Sequence, residues 1–210
     1  MLIGLKNGKN ALKGVFEFGE NDLMARGDIS FDDKNLYIST EVNDKSHFQP
    51  FNNDQIWQAD SLQIAFDTML DRRKNSYNPK DDYEIGLALS SGKTVLSPFF
   101  APPDNPLQSS KLLAEISRIE ESGKTRYNLQ IPWEALSSVN YEKLDAFGMN
   151  ILVNDNNGTG RKYVEWTPGT GAKKDPSAFV TVFMDKKSHG IAAGILSSSG
   201  NLYTGDSAVF

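Results

Sequence analysis

The sequence predicts an all-β fold, an antiparallel β-sandwich of the jelly-roll or immunoglobulin-like kind with little helix. Short runs rich in Val, Ile, Phe and Tyr recur between clusters of Asn, Asp, Gly and Ser, a spacing typical of antiparallel strands joined by turns. Several of these runs alternate apolar and polar residues, as half-buried strands do. The length of 210 residues suits one large sandwich domain with a substantial core.

Ten strands are predicted, which is enough for two packed sheets. In the clearest of them Leu62, Ile64 and Phe66 share one face, which puts Gln63 on the face opposite the core. Helix is scarce, and the best candidate is one or two turns over residues 133–138, directly after a proline. The predicted strands cover residues 14–18, 24–31, 36–42, 61–67, 83–89, 112–119, 126–132, 146–153, 163–167 and 178–184.

Three long loops are predicted over residues 43–58, 69–82 and 99–110. Long loops at the end of a sandwich usually carry binding sites, because the sheets hold them in place. The sandwich domain is expected to span residues 1–185. Residues 186–210 then form either a C-terminal extension or the start of a neighbouring module.

Composition and charge exclude several classes of protein. The 22 Lys and Arg residues against 27 Asp and Glu give a net charge of −5, which argues against a nucleic-acid partner. The hydrophobic fraction of 39% is ordinary for a globular protein, and the longest apolar runs have the length of strands, so no membrane span is predicted. With no cysteine, the chain has no disulfide and no thiolate metal site.

The first residues of the chain lack both the charged and the apolar region of a secretory signal. The protein is therefore either cytoplasmic or a module from a longer exported chain. We expect the second, and hence an extracellular or cell-surface location.

Eight segments, taken in order and spacing, resemble the pattern of family 9-type carbohydrate-binding modules. The resemblance covers about residues 25–184. It implies a jelly-roll sandwich, secretion in a bacterial glycan-degrading context, bound calcium ions in structural loops, and no catalysis by the module itself. The segments are DKNLYI at 33–38, VND at 42–44, WQADSLQIAFD at 57–67, YEI at 83–85, IPW at 131–133, FGMNILVND at 147–155, EW at 165–166 and DPSAF at 175–179.

The resemblance also bears on a sugar site. Such modules clamp a sugar between two tryptophans, and Trp57 falls on the first clamp position. The loop that carries the second tryptophan is here residues 169–174, which contain no aromatic residue. Gln63, Gly86 and Leu152 stand where those modules carry a glutamate, an arginine and a glutamine. The resemblance therefore implies sugar stacking on Trp57 in a pocket that departs from the familiar one.

Five residues are the candidate glycan-binding set. Trp57 is either an exposed stacking platform or a ring that caps the core. Gln63, Glu84 and Asn154 are candidate hydrogen-bond partners of sugar hydroxyls. Trp166 lies in a strand, where it either packs in the core or contacts sugar.

The loop from Asp155 to Arg161 contains alternating oxygen ligands and two glycines, which suits a calcium loop in outline. Asp155, Asn157 and Asp60 are the candidate ligands of a structural calcium ion. Ordinary turn chemistry explains the same residues equally simply. Asp81 and Asp82 are further candidate ligands, unless they are merely solvated loop carboxylates.

No catalytic residue is predicted, so the chain is not expected to be an enzyme. His47 and His189 are its only histidines, and neither has an acid or a nucleophile at an informative spacing. A Gly-x-Ser-x-Gly nucleophile elbow is absent from the sequence.

The first hypothesis is therefore a non-catalytic module that binds a polysaccharide or oligosaccharide, attached to or cooperating with a catalytic domain. The second is a structural sandwich that has lost sugar binding and packs against a catalytic domain or a partner. A third, minor hypothesis is a haem-binding sandwich that uses Met149, Met69 or His47 as axial ligands.

Overall fold

The computed structural model describes residues 14–20, 22–187, 190–196 and 202–203. These residues fold into two antiparallel sheets. These residues form thirteen strands: β1 Gly14–Glu20, β2 Leu23–Phe31, β3 Asn35–Asn43, β4 Ser61–Asp67, β5 Asp82–Ser90, β6 Lys93–Phe100, β7 Leu113–Ile119, β8 Lys124–Pro132, β9 Ala146–Asp155, β10 Lys162–Glu165, β11 Val180–Asp185, β12 Gly190–Leu196 and β13 Leu202–Tyr203.

The first sheet has the strand order β1-β2-β3-β8-β7, and the second has the order β13-β12-β11-β9-β4-β5-β6. The short strand β10 pairs with the carboxyl-terminal half of β9, while β11 pairs with its amino-terminal half. Every strand pair in both sheets is antiparallel, which confirms the predicted fold class.

The core lies between the two sheets. Leu62, Ile64 and Phe66 of β4 are fully buried and belong to the same cluster as Ile38 of β3 and Leu129 of β8. Full burial of each such side chain contributes about 1.5–3 kcal/mol. The alternation in β4 thus leaves its other residues on the outer face of the second sheet.

Helix is confined, among the described residues, to six single 3-10 turns. The predicted helix over residues 133–138 is one of them and is shorter than expected, Trp133–Ala135. None of the described helices is long and apolar enough to cross a membrane. The other turns are Ile56–Gln58, Ser109–Lys111, Glu120–Ser122, Tyr141–Lys143 and Pro176–Ala178.

Strand β6 was not predicted from the sequence, and the expected loop at 99–110 begins inside it. Pro98 lies within this strand, and proline argues against a central strand because it has no N–H to donate. The structure places β6 at the edge of its sheet, where one side of the strand needs no partner.

Strand β12 pairs with β11, with Met184 opposite Ile191. The described part of residues 186–210 therefore continues the second sheet of the same sandwich.

Candidate functional site

An open groove of about 480 Å³ lies on the outer face of the second sheet. Aromatic, amide and charged side chains line it together, which is the usual make-up of a site for a polar ligand with apolar faces. The lining residues are Asp54, Trp57, Gln63, Glu84, Pro98, Phe99, Arg161, Thr170, Gly171 and Lys174.

Trp57 stands at one side of the groove, on the 3-10 turn Ile56–Gln58 that precedes β4. Ile56 is fully buried and anchors this turn, whereas Trp57 is 41% exposed. The Gln49 side chain donates to the carbonyls of Ile56 and Asp60, both at 2.9 Å, and so closes the loop around the turn. Of the two roles considered for Trp57, the structure places its ring at the surface and not over the core.

The floor of the groove comes from β4 and β5. Gln63 lies opposite Gly86, and Glu84 lies opposite Ala65, so Gln63 and Glu84 point to the same side of the sheet. The Lys174 ammonium bonds to the Glu84 carboxylate at 2.8 Å and donates to the Thr170 carbonyl at 2.8 Å. The predicted polar partners Gln63 and Glu84 therefore meet in one site.

Phe99 forms another aromatic surface of the groove. The pairing of β5 with β6 skips Phe99, since Glu84 lies opposite Phe100 and Ile85 lies opposite Pro98. This bulge turns the Phe99 ring over Gly86, where an added Cβ atom would lie 2.3 Å from the ring. The position at which the resemblance implies an arginine is thus covered by an aromatic ring.

Arg161 is held between two aromatic rings. Its guanidinium carbon lies 5.3 Å from the Trp57 ring centre and 4.7 Å from the Tyr163 ring centre, distances that give cation–π attraction. Asn154 accepts a hydrogen bond of 2.7 Å from Arg161 Nε. Gly171 packs against Tyr163, since a Cβ atom there would lie 2.3 Å from the ring.

Asn154 and Trp166 do not line the groove. Asn154 is buried and donates to the Ser61 hydroxyl at 2.9 Å, so its contribution is to orient Arg161. Trp166 packs against the core and lies 5.2 Å from the Phe16 ring of β1. Of the five predicted glycan-binding residues, the structure brings Trp57, Gln63 and Glu84 together in the groove.

The predicted calcium ligands lie away from the groove. Asp155 and Asn157 line a cleft of about 400 Å³ together with Asp44. Asp60 accepts from the amides of Asn156 at 2.8 Å and Phe48 at 2.6 Å, and Asp155 pairs with Lys162 at 3.0 Å. Asp60 also meets Asp44 and His47, and possible ligand atoms of these three residues lie within 4.8 Å of one another. A calcium ion at this loop stays a prediction.

The remaining candidates are the two histidines and the two methionines considered as haem ligands. His47 Nε2 contacts the Leu89 carbonyl at 2.7 Å, and Nδ1 lies 3.4 Å from Asp60. Burial lowers the pKa of His47, but the hydrogen bonds to Asp60 and Leu89 outweigh it, and the pKa is raised overall. Met149 is buried in the core and Met69 is exposed. The haem hypothesis stays a prediction, and His189 lies outside the described residues.

Sequence reasoning missed Phe99, Arg161, Tyr163 and Lys174. Arg161 ends the loop proposed for calcium, and Lys174 lies in the loop that lacks the second tryptophan, so both were adjacent to identified features. Their contribution depends on contacts between loops that are distant in sequence.

These features define a β-sandwich with an open groove of mixed aromatic and polar lining on one outer sheet face. The family model described as carbohydrate family 9 binding domain-like matches residues 9–187, and the chain belongs to this family. A comparison with curated proteins gives no significant match.

Solved structures show the same fold. One is a family 9 carbohydrate-binding module from Caldicellulosiruptor kristjanssonii in complex with glucose, with a TM-score of 0.60 and 18% identity over 84% of this chain and 85% of that one. A second, from the same organism and in complex with cellotriose, has a TM-score of 0.58 and 20% identity over 81% of this chain and 80% of that one.

Proposed function

We propose that this domain is a non-catalytic glycan-binding module, and that the groove with Trp57 and Phe99 is its binding site. The observation that carries the proposal is the exposure of the Trp57 ring in the same open groove as Phe99, above a polar floor. The alternative of a structural module does not by itself account for Trp57, Phe99 and the polar side chains lying together in one groove.

The two rings suit the apolar faces of a pyranose. The C–H face of a sugar ring packs on an aromatic ring, and each such contact contributes about 1 kcal/mol beyond its buried area. Because each contact is weak, binding to a single sugar is expected to be weak and to strengthen with chain length as further rings engage.

The polar residues of the groove suit sugar hydroxyls. Gln63 offers an amide donor and acceptor, Glu84 a carboxylate, and Arg161 and Lys174 offer charged donors. Asn154 holds Arg161 in position from below. Since hydroxyls both donate and accept, this mixed set can bond a neutral sugar without leaving charges unpaired.

The wider setting is also part of the proposal. The Caldicellulosiruptor modules were solved with cellotriose and glucose, which supports a polysaccharide or oligosaccharide as the partner. We place the domain in a longer exported protein at the cell surface or outside the cell, where it keeps an adjacent catalytic domain close to its polysaccharide.

Isothermal titration of the domain with cellotriose, xylotriose, mannotriose and laminaritriose tests the proposal. We expect heat with at least one of the four, and a loss of about fivefold or more in affinity for Trp57→Ala, on the scale of one aromatic contact. Phe48→Ala is the matched control, because Phe48 is also 41% exposed but lies outside the groove. No heat with any of these sugars, or equal affinity of wild type and Trp57→Ala, would contradict the proposal.

A further inference from the structure

Arg161 brings a positive charge into the groove that no carboxylate of the described residues pairs with directly. Its Nε donates to the neutral amide of Asn154 at 2.7 Å, and its guanidinium lies against the rings of Trp57 and Tyr163. Within the described part of the chain, its two terminal nitrogens have no hydrogen-bond partner, and Arg161 belongs to no ion pair. Both terminal nitrogens are therefore available to a ligand in the groove.

The Arg161 cation is also partly withdrawn from water. The side chain is half-buried, and burial lowers the pKa of its guanidinium. The negative charges of Glu165 and Glu84 oppose this effect, but only in part. A partly desolvated cation without a paired carboxylate is unfavourable, so an incoming anion gains more at this position than a neutral group does.

The carboxylates that act on Arg161 are already engaged by other groups. Glu84 forms an ion pair with Lys174 at 2.8 Å. Glu165 accepts hydrogen bonds from the backbone amides of residues 170 and 171 at 3.0 and 3.1 Å. Of the two cations that line the groove, Lys174 is therefore matched by a carboxylate and Arg161 is not.

We propose that the groove prefers an acidic glycan, one whose sugar rings carry a carboxylate at C6 as uronic acids do, and that Arg161 binds this carboxylate. The inference rests on the proposed glycan-binding function and names the class of glycan. An arginine suits this role because its planar fork of N–H donors matches a carboxylate with two parallel hydrogen bonds. With Nε held by Asn154, the two terminal nitrogens supply these donors.

The surroundings of Arg161 favour a carboxylate over a hydroxyl without excluding a neutral sugar. A neutral sugar can accept hydrogen bonds from Arg161 through its hydroxyls, whereas a carboxylate also neutralises the charge. The two flanking rings hold the guanidinium in place, so little side-chain freedom is lost on binding. A carboxylate at C6 leaves the C–H faces of the sugar ring unchanged, so its packing on Trp57 and Phe99 is the same as for a neutral sugar.

The charge of the rest of the chain works against this preference. The net charge of the sequence is −5, and the exposed Asp54 also lines the groove. Non-specific attraction of an acidic glycan to this protein is therefore not expected. A measured preference for the acid would have to come from a local contact in the groove.

Isothermal titration of the wild-type domain with two matched pairs of trisaccharides tests the preference. β-1,4-Linked mannotriose is compared with β-1,4-linked trimannuronate, and cellotriose is compared with the triglucuronate of the same linkage. Within each pair the two sugars differ only at C6. In about 20 mM sodium chloride, we expect the acid of at least one pair to bind at least about fivefold more tightly than its neutral counterpart.

Variants of Arg161 assign the preference to this residue. Arg161→Gln removes the charge and should bring the affinities of the acid and its neutral counterpart to within about twofold of each other. Arg161→Lys keeps the charge without the planar fork and should retain only part of the preference. Arg126→Gln is the matched control, because it removes an exposed arginine from the other sheet and should keep the wild-type ratio. The unfolding temperature of each variant shows whether it is folded.

The outcomes separate this preference from the glycan-binding function. Binding of neutral trisaccharides alone, or equal affinity within both pairs, would refute the preference and leave the glycan-binding function standing. A preference of wild-type size in folded Arg161→Gln would refute the assignment to Arg161. If neither the neutral nor the acidic trisaccharides give heat, the glycan-binding function and the preference fail together.

Discussion

Replacement of Gly86 by alanine tests the bulge that places Phe99 in the groove. An ideal Cβ atom on residue 86 would lie 2.3 Å from Phe99 Cζ and 2.5 Å from Cε2. Since carbon atoms pack at about 3.5–4.0 Å, the ring has to withdraw by about 1.2 Å or more. Gly86 is not among the glycines with positive φ, and the three atoms nearest to the added Cβ all belong to the Phe99 ring, so this ring is the main obstacle.

The expected cost is small because Phe99 is only half-buried and its ring can move outward. Overpacking costs about 1–3 kcal/mol in a closed core, so we expect about 1 kcal/mol here. For a domain of this size that lowers the unfolding temperature by about 2–4 °C. Affinity for the best of the four trisaccharides should also fall, because the ring no longer lies where it lines the groove.

A double-mutant cycle with Phe99→Ala isolates the contact. Once the ring is gone, Gly86→Ala should cost nothing or should stabilise slightly, by about 0.4–1 kcal/mol, since alanine reduces the freedom of the unfolded chain. Urea unfolding of the four proteins measures the cycle. An equal cost of Gly86→Ala with and without the Phe99 ring would refute the reasoning.

Two further predictions concern the frame of the sandwich. Phe66→Ala should lower the free energy of unfolding in urea by about 3–5 kcal/mol, because Phe66 is fully buried against Phe147. The control Phe48→Ala should change it by no more than about 0.5 kcal/mol, because Phe48 is exposed. Similar costs for the two variants would contradict the described core. The Glu41 carboxylate accepts hydrogen bonds from Lys124, Arg126 and Arg26. The hydrogen bond from Lys124 is the main cause that lowers the pKa of Glu41 from 4.5 to about 2. Burial opposes this shift, and the two arginines add to it. Because the folded pKa lies below the unfolded one, this contribution to stability is complete above pH 4.5 and disappears as the pH falls towards about 2. The stability difference between wild type and Glu41→Gln should therefore shrink over that range, and a constant difference down to pH 2.5 would argue against these ion pairs.

Most strands of the sandwich could be predicted from the sequence because they carry strong local patterns of apolar and polar residues. Strand β4 matched residues 61–67 at both ends, since its apolar residues alternate cleanly and polar loops flank it. Strand β6 was not predicted because Pro98 breaks the pattern of a central strand and most of its other residues are exposed or only partly buried. An edge position, which permits both features, cannot be read from the residues alone.

The groove was predicted in part. Gln63 and Glu84 share it because alternation fixes which face of a strand a residue occupies, and Trp57 joins them from the turn that precedes β4. Phe99 could not be assigned, because its orientation depends on one skipped residue in the pairing of β5 with β6. Arg161 and Lys174 come from loops, and their places depend on the Tyr163 ring and on Glu84, contacts that no local pattern encodes.

The departures from the familiar sugar pocket have a structural counterpart. Gly86 in place of an arginine makes room for the Phe99 ring, and the loop without a second tryptophan supplies Lys174. Under the proposed function, the rings on which a sugar packs are therefore Trp57 and Phe99, and not the two tryptophans that the resemblance implies.

The indole N–H signals of the three tryptophans provide the most direct test of the groove as a glycan site. The chain has Trp57, Trp133 and Trp166, and the structure places only Trp57 in the groove, with Trp133 buried and Trp166 packed on the core. In a ¹⁵N-correlated NMR titration with the four trisaccharides, assigned with single Trp→Phe variants, the Trp57 signal should shift progressively and the other two should stay in place. A bound sugar that shifts Trp166 or Trp133 and leaves Trp57 unchanged would contradict the account.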